Sequence, residues 1–407
     1  MMGERIKQAR LVAGLTQEAL AQRLTAQQQP ITKQALSKYE LNKSTPPASI
    51  IMALAQSLNV APSYFLADDQ ITIQWLAFRK HAQLPQAHQD EVKAYSQHVA
   101  EQQMWLTSLL YPNPSEHLRF PPSRVVCNED EAEWTAQELR QIWGLDDHPI
   151  ESVTQLLEDR GGVVVGISRP VDHFDGLSGW INDHVPLTVT SMAVIPDRLR
   201  FNLAHELGHL LLHCDDQDAK MNEKLAHRFA AAFLLPALAL KRALGERRQH
   251  IEFAELGLLK QRFGISMQAI ARRARDVGII DEATCTRLFK DFSSRGWRKA
   301  EPVAFQGNEK PLRLKQMTLR AYAERVITRA QAEQLCPGCL ADFPREEVQP
   351  MSARELMQRP LAERHAALEA FAEAYAEDYA TNEELSEWTS FDDDTWNEDG
   401  EDWERDS

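Results

Sequence analysis

The stretch Arg198–His213, RLRFNLAHELGHLLLH, contains the pattern H-E-x-x-H at residues 205–209. With 13 histidines in 407 residues, roughly 0.04 chance matches are expected, so the pattern is specific. Leucine, alanine and phenylalanine side chains recur through this stretch at helical spacing. The spacing predicts a buried amphipathic helix that carries the pattern.

The two histidines of this helix are predicted to hold one divalent metal ion. His205 and His209 are four residues apart, so they lie about 40° apart around the helix and one turn along it. Glu206 is rotated by about 100° from His205, beside the metal but outside its ligand set, where it can take a proton from water. The alternative, two unrelated histidines on a core helix, is the weaker explanation.

A following helix, MNEKLAHRFAAAFLLP at residues 221–236, offers a third ligand. Glu223, Ala226 and Ala230 share one helix face, and the alanines are small enough for close packing against the first helix. A catalytic zinc site has three protein ligands and an open fourth position. The alternative for Glu223 is a carboxylate that only complements the helix dipole. His213 is expected to end the first helix rather than to serve as a fourth ligand, and Cys214 is left out of the ligand set.

LAHELGHLLLH followed by ExxAxxFAxxxLLP resembles the ImmA/IrrE family of zinc metallopeptidases, over about residues 123–296. The resemblance implies Zn²⁺ held by His205, His209 and Glu223, with Glu206 as general base. It also implies that the substrate is a repressor protein of the helix-turn-helix type. The chain departs from the family at His227, where Asn or Asp is usual and orients a ligand histidine. A histidine can donate a similar hydrogen bond.

The first 66 residues predict a compact module of five short helices with a net charge of +4, from seven basic and three acidic residues. RIKQARLVAGLTQEALAQRL, ITKQALSKYELNKSTPP and LAQSLNVAPSYFL resemble the Xre/Cro-type helix-turn-helix family. The resemblance implies that the third helix enters the major groove of operator DNA, while homodimerisation stays open. Tyr39 and Glu40 are expected to pack and orient the module, and the loop LTAQQQPI is longer than the usual turn. The residues implied to contact DNA are Gln17, Lys33, Gln34, Ser37 and Lys38.

The fold class expected is mainly α with a small β-sheet (α+β). GGVVVGI, LSGWI and PLTVT predict three short strands, and an exposed edge strand beside a metal cleft can hold an extended peptide. No oxyanion-stabilising residue is assigned; Arg198, Arg200, His173 and His184 are considered, with a structural role preferred for each. The predicted organisation is a helix-turn-helix domain at 1–66, a helical connector at 67–122, a zincin-like metallopeptidase domain at 123–296, a helical region at 297–382 and an acidic, unstructured tail at 383–407.

Composition favours a cytoplasmic protein without membrane contact. The chain has no apolar run long enough to span a bilayer, no signal peptide is expected, and the five cysteines are too scattered for a disulfide framework. Cys336 and Cys339 have zinc-knuckle spacing but lack a partner pair, so a turn with two thiols is preferred. The tail carries twelve acidic residues and one basic residue, a net charge of −11. Two roles are left open for it, solubility and competition with the phosphates of DNA. A preceding helical segment within 351–388 is expected to dock on another surface.

Two functions from different classes fit these observations. The first is a DNA-binding regulator with a zinc endopeptidase domain that cleaves a partner repressor. The second is a repressor or antitoxin-like regulator, of the toxin-antitoxin kind, whose peptidase-like domain is sensory or inactive. The intact H-E-x-x-H favours the first function.

Overall fold

The computed structural model describes residues 2–60, 62–66, 71–76, 85–113, 118–169, 171, 174–214 and 219–341, with Met357, Arg364 and Leu368 beyond them. The chain divides into two compact units, Met1–Ala321 and Tyr322–Ser407. Helices dominate the described residues and a small mixed sheet accompanies them, so the predicted fold class is confirmed. Among these residues, no helix combines the length and the apolar content needed to cross a bilayer.

The N-terminal module folds as predicted, around a small core of its own. Thr16 and Thr32 each accept a hydrogen bond from a backbone N–H three residues ahead, which begins the second and third helices. The fifth element is a 3₁₀ helix, Pro62–Leu66, and not a further α-helix. The α-helices are α1 (Met2–Val12), α2 (Gln17–Ala26), α3 (Lys33–Glu40) and α4 (Ala48–Leu58). The core contains Ile6, Leu20, Leu24, Leu36, Leu54 and Phe65.

The connector does more than join two domains, because it supplies a strand and a sheet-covering helix. The strand β1 (Ile73–Trp75) was not predicted, whereas the helix α5 (Gln86–Leu110) was. Val92 and Ala100 of α5 pack on the apolar face of the sheet. This face buries alternate residues of the strands, as period-2 side chains require.

The three predicted strands are present as β3 (Val163–Ile167), β4 (Gly176–Ile181) and β5 (Val185–Ser191). Together with β1 they form a four-stranded sheet of the order β1, β4, β5, β3. β3 runs parallel to β5, and β4 runs antiparallel to β5. β1 pairs antiparallel with the outer edge of β4.

Helices on the opposite face of the sheet form the largest core. The predicted H-E-x-x-H helix is α8 (Pro196–Leu211), and the helix with the third candidate ligand is α9 (Ala219–Leu234). His213 does not end the helix as expected: the chain leaves α8 at Leu211, and Leu212–His213 (β6) pairs in parallel with Arg124–Val125 (β2). The remaining helices are α6 (Glu129–Ile142), α7 (Val153–Asp159), α10 (Ala237–Leu244), α11 (Phe253–Phe263), α12 (Met267–Asp276) and α13 (Glu282–Ser294).

The carboxylates of two glutamates, Glu301 and the fully buried Glu309, attach the chain beyond residue 296 to the same body. Glu301 accepts hydrogen bonds from the backbone N–H groups of Met267 and Gln268, at the N-terminus of α12. Glu309 accepts from the backbone N–H of Thr154, at the N-terminus of α7. Carboxylates are favoured at both places because helix N-termini carry unpaired donors and positive partial charge.

The predicted helical segment after residue 310 is present as α14 (Arg313–Ala323) and α15 (Arg329–Leu335). The five cysteines are all free thiols, as expected, and Cys339 lies buried in a turn after α15. The predicted docking helix within 351–388 and the acidic tail at 383–407 lie outside the described residues, apart from the three isolated positions. The predicted domain boundaries stay predictions.

Candidate metal centre and DNA-binding surface

A close contact between α8 and α9 builds the centre. A Cβ added to Gly208 would lie 3.1 Å from Cα and 3.3 Å from Cβ of Ala226, which is tighter than ordinary contact. Only a glycine facing an alanine lets the two helix backbones approach this closely. Glu223 precedes Ala226 by three residues, so it lies on the same face of α9 and reaches the two histidines.

The three predicted ligands are brought together, with donor atoms that converge on one point. The Nε2 atoms of His205 and His209 are 3.1 Å apart. Glu223 places Oε2 at 3.4 Å from Nε2 of His205 and Oε1 at 3.3 Å from Nε2 of His209. Bonds of about 2.05 Å to a tetrahedral zinc ion would separate the donor atoms by about 3.3 Å. The Nε2–Nε2 separation and the contact of each histidine with its own Glu223 oxygen are close to that value, so the carboxylate faces the same point as the two rings.

The donor chemistry also fits a cation. Two imidazole ring nitrogens and a carboxylate that converge on one point are the donor types that bind zinc in proteins. Within the described part of the chain, this is the one cluster of three or more histidine, cysteine or acidic residues with convergent donor atoms. His205 is buried, while His209 and Glu223 are half-buried, so the site opens to solvent on one side. This matches a site with three protein ligands and one open position.

Glu206 lies between the metal ligands and the sheet. Its Oε2 accepts a hydrogen bond of 2.8 Å from Oγ of Ser178 on β4, and both residues are buried. A Cβ added to Gly176 would lie 3.0 Å from Oε1 of Glu206. β4 therefore holds the carboxylate in one orientation from two adjacent positions on the same strand face.

Ser178 was missed by the sequence reasoning. The run LSGWI was predicted as a strand, and alternation places Ser178 on the face opposite to Leu177. A polar side chain there is a signal for a partner on the covering helix. The identity of that partner needed the packing of α8 on β4.

The ring of His227 contacts the ring of His205, one of the candidate metal ligands. Its ring centroid is 4.4 Å from that of His205 and 5.7 Å from that of Phe201. The side chain thus contacts the His205 imidazole, and its role in orienting that ring through a hydrogen bond stays a prediction. The ring of His227 is tilted by 46° from that of His205 and by 30° from that of Phe201.

The residues considered for oxyanion stabilisation are described here by the contacts that each one makes. Arg200 is fully buried and donates to Glu309 and to the backbone carbonyls of Ile150 and Glu151, so its role is structural, as preferred. Arg198 is exposed and pairs with Asp175 at 2.7 Å. His184 lies in the β4–β5 turn, His173 lies outside the described residues, and Cys214 is not in the metal cluster.

The N-terminal module presents its predicted DNA-contacting face to solvent. Lys33, Gln34 and Lys38 on α3 are exposed, and Ser37 is half-buried. Lys33 and Glu18 form an exposed ion pair at 3.8 Å. The DNA-contacting roles of these side chains stay predictions.

A buried ion pair sets the orientation of α3. Glu40, at the end of α3, accepts two hydrogen bonds from Arg10 on α1, at 2.5 and 3.0 Å. The structural role expected for Glu40 is therefore confirmed. Gln17, predicted to cap a phosphate, donates to Glu40 at 2.7 Å in this structure, and its phosphate role stays a prediction.

Family models match both regions. Residues 6–65 match the helix-turn-helix model, and residues 193–275 match the IrrE N-terminal-like domain model of peptidase family M78. The chain joins a helix-turn-helix domain to an IrrE-like, peptidase-family domain. The second match contains all three members of the metal cluster and Glu206, while the sheet lies before it.

Comparison with whole proteins gives little overlap. No curated protein matches the chain. Among solved structures, a Mycobacterium tuberculosis transcriptional regulator is similar at 17% identity, over 42% of this chain and 52% of that one, with a TM-score of 0.29. The chain thus spans about half the length of that regulator.

Proposed function

We propose that this protein is a DNA-binding transcriptional regulator that cleaves a partner protein with a zinc-dependent endopeptidase domain. The observation that carries the proposal is the convergence of the His205, His209 and Glu223 donor atoms on one point, with Glu206 held on the same helix by Ser178. The partner expected from the family resemblance is a helix-turn-helix repressor. The cytoplasm is the compartment in which the protein would meet both DNA and that partner.

The catalytic work divides among four side chains. His205, His209 and Glu223 hold the ion, and zinc bound there would act as a Lewis acid that polarises the scissile carbonyl and acidifies water. The Glu206 carboxylate takes the proton from the attacking water and returns it to the leaving amine. Ser178 orients Glu206 for both transfers through its hydrogen bond to Oε2.

The test of catalysis uses Glu206→Gln, a substitution that keeps the size of the side chain and removes the base. The purified variant should bind one equivalent of zinc by elemental analysis, yet its cleavage of a helix-turn-helix repressor that the parent cleaves should be at least about a hundredfold slower than cleavage by the parent. His205→Ala should lose the zinc. Cleavage at the parent rate by Glu206→Gln would contradict the mechanism. Absence of cleavage by the zinc-loaded parent would favour the regulator with an inactive peptidase-like domain.

The test of DNA binding uses Lys33→Ala and Lys38→Ala on the exposed face of α3. Each substitution should weaken binding to DNA from upstream of the operon and lower the slope of log affinity against log salt by about 1 if its ammonium contacts a phosphate. Lys299→Ala, an exposed lysine outside the module, is the control. Equal affinities and slopes for all three variants would remove α3 from the interface.

A further inference from the structure

The strand β1 fills the edge of the sheet that lies next to the metal centre. Ile73, Gln74 and Trp75 pair antiparallel with Ile181, Trp180 and Gly179 of β4. The pairing extends one residue further at each end. The backbone N–H of Asn182 donates to O of Thr72 at 2.8 Å, and the N–H of Leu76 donates to O of Ser178 at 3.0 Å.

The register brings β1 towards the catalytic side chains. Leu76 lies opposite Ser178, the residue that donates to Glu206. Residues directly opposite one another in an antiparallel pair share a face of the sheet. Leu76 therefore lies on the face that carries Glu206, and its side chain is 46% exposed there.

An extended peptide would use the same edge. A peptide bound as an added strand obtains its main-chain hydrogen bonds from the edge strand of a sheet. β4 is the strand that contacts Glu206, through Gly176 and Ser178, so a peptide paired with β4 would bring its backbone to the metal centre. The backbone groups at residues 178–182 that such a peptide would use are engaged by residues 72–76.

We propose that β1 is an internal, displaceable occupant of the substrate-binding edge of β4, which an extended segment of the substrate protein must replace. This inference rests on the proposed peptidase function. The competing partner is defined by its chemistry: an unfolded peptide segment that pairs antiparallel with β4. In the resting protein, β1 and the substrate compete for one set of main-chain donors and acceptors.

β1 is short enough to be displaced from the edge of β4. The strand has three residues, and its inner side chains, Ile73 and Trp75, are only partly buried against the sheet core. Gln74 is exposed. A strand this short adds few hydrogen bonds and little buried apolar area, so a longer substrate segment can outcompete it.

The position of the helix-turn-helix domain limits where β1 can move. Residues 67–72 join Leu66, the last residue of the 3₁₀ helix, to β1, and six residues span at most about 21 Å. The module contacts α5 through Glu101, which pairs with Arg5 and accepts from Gln8 at 3.1 Å. A displaced β1 therefore stays within that distance of Leu66, beside the module that Glu101 holds on α5.

Two substitutions at Gln74 distinguish the contribution of the main-chain hydrogen bonds of β1 from that of the exposed side chain. Antiparallel pairs alternate, so bonding at Thr72–Asn182 and at Leu76–Ser178 places Gln74–Trp180 in a hydrogen-bonded pair. Gln74→Pro removes the N–H of that pair, whereas Gln74→Ala keeps it and changes an exposed side chain only. The two variants form a matched pair at one position.

The first experiment measures binding of a peptide to full-length, zinc-loaded protein that carries Glu206→Gln, so that no cleavage occurs. The probe is a fluorescein-labelled synthetic peptide of residues 70–77, QITIQWLA. If β1 occupies the edge more than about 90% of the time, its loss should tighten the apparent Kd at least about tenfold. Gln74→Pro should show this gain and Gln74→Ala should not. Equal affinities for the two variants would overturn the proposal.

A second variant tests the proposal even if Gln74→Pro folds poorly. Ile73 and Ile181 are directly opposite in a non-hydrogen-bonded pair, a spacing that suits a disulfide. Ile73→Cys with Ile181→Cys should lock β1 when oxidised and weaken peptide binding at least about tenfold relative to the same protein reduced with phosphine. Unchanged binding after verified cross-linking would refute displacement of β1.

The peptidase function is measured separately, by hydrolysis of fluorescently labelled casein with Glu206 intact. Gln74→Pro should cleave faster than Gln74→Ala, and the cross-linked protein more slowly than its reduced form. Absence of casein and repressor cleavage by every variant would count against the peptidase function alone. The peptide-binding comparison would still decide whether β1 occupies the edge of β4.

Discussion

Gly208→Ala tests whether the close approach of α8 and α9 makes the metal site. The new methyl group would lie 3.1 Å from Cα of Ala226 and 3.3 Å from its Cβ and carbonyl O. Carbon atoms in ordinary contact are about 3.5–4.0 Å apart, so α9 must move away from α8 by about 0.4 Å or more. Glu223 moves with α9, because it is one turn from Ala226.

The structure sets the size of the expected effect. A metal site tolerates ligand displacements of about 0.2 Å, so a shift of about 0.4 Å should lower zinc affinity about 10- to 100-fold, comparable to the loss of a supporting contact. The effect on folding is smaller. Overpacking costs about 1–3 kcal/mol, and the higher helix propensity of alanine returns up to about 1 kcal/mol.

Zinc affinity is measured by competition with a fluorescent chelator, and the stability of the zinc-free protein by thermal unfolding. Gly257→Ala is the matched control: Gly257 is a buried glycine inside α11, and its added Cβ would lie 3.1 Å from a Val303 side chain, away from the metal centre. Gly257→Ala should keep the zinc affinity of the parent. If Gly208→Ala keeps it as well, the helix approach is not what positions Glu223.

Three further perturbations test other parts of the structure. Ser178→Ala removes a hydrogen bond to the buried Glu206 carboxylate, worth about 1.5–3 kcal/mol, so kcat should fall about 10- to 150-fold with zinc content unchanged. Burial raises the pKa of Glu158 from 4.5 to about 7, so the unfolded chain releases this proton first and the free energy of unfolding falls between those pH values. Glu158→Gln should remove most of that decline, on the order of 3 kcal/mol, in urea titrations across this range. Glu40→Ala leaves Arg10 buried without its ion pair, so hydrogen-exchange protection of α1–α4 should fall by about 3–5 kcal/mol.

Matched variants separate these effects from general damage. Ser96→Ala removes a buried hydroxyl on α5, away from the centre, and should leave kcat unchanged. Glu151→Gln alters an exposed carboxyl before α7 that does not contribute to the Glu158 shift, and should keep the pH dependence. A kcat for Ser178→Ala within a factor of two of the parent, or a Glu158→Gln protein that retains the decline, would contradict the corresponding assignment.

Local periodicity was enough to predict most of the secondary structure. The H-E-x-x-H helix, the three sheet strands and the four α-helices of the N-terminal module all follow from spacing and capping residues within a few positions. The pairing of His205 with His209 is equally local, since both belong to one helix. Glu223 could be predicted as their partner because the small residues around it indicate close helix packing.

The sequence by itself thus determined the helices, the main strands and the pairing of the two candidate histidine ligands, because these depend on neighbours within one or two turns. Tertiary structure alone decided that Ser178 orients Glu206, that Glu309 caps α7 from 155 residues away and that Ile73–Trp75 pairs with β4. Three residues are too few to show a strand period, and pairing across such separations depends on how the whole chain packs. Only the folded chain therefore shows that β1 occupies the edge of the sheet beside the metal centre.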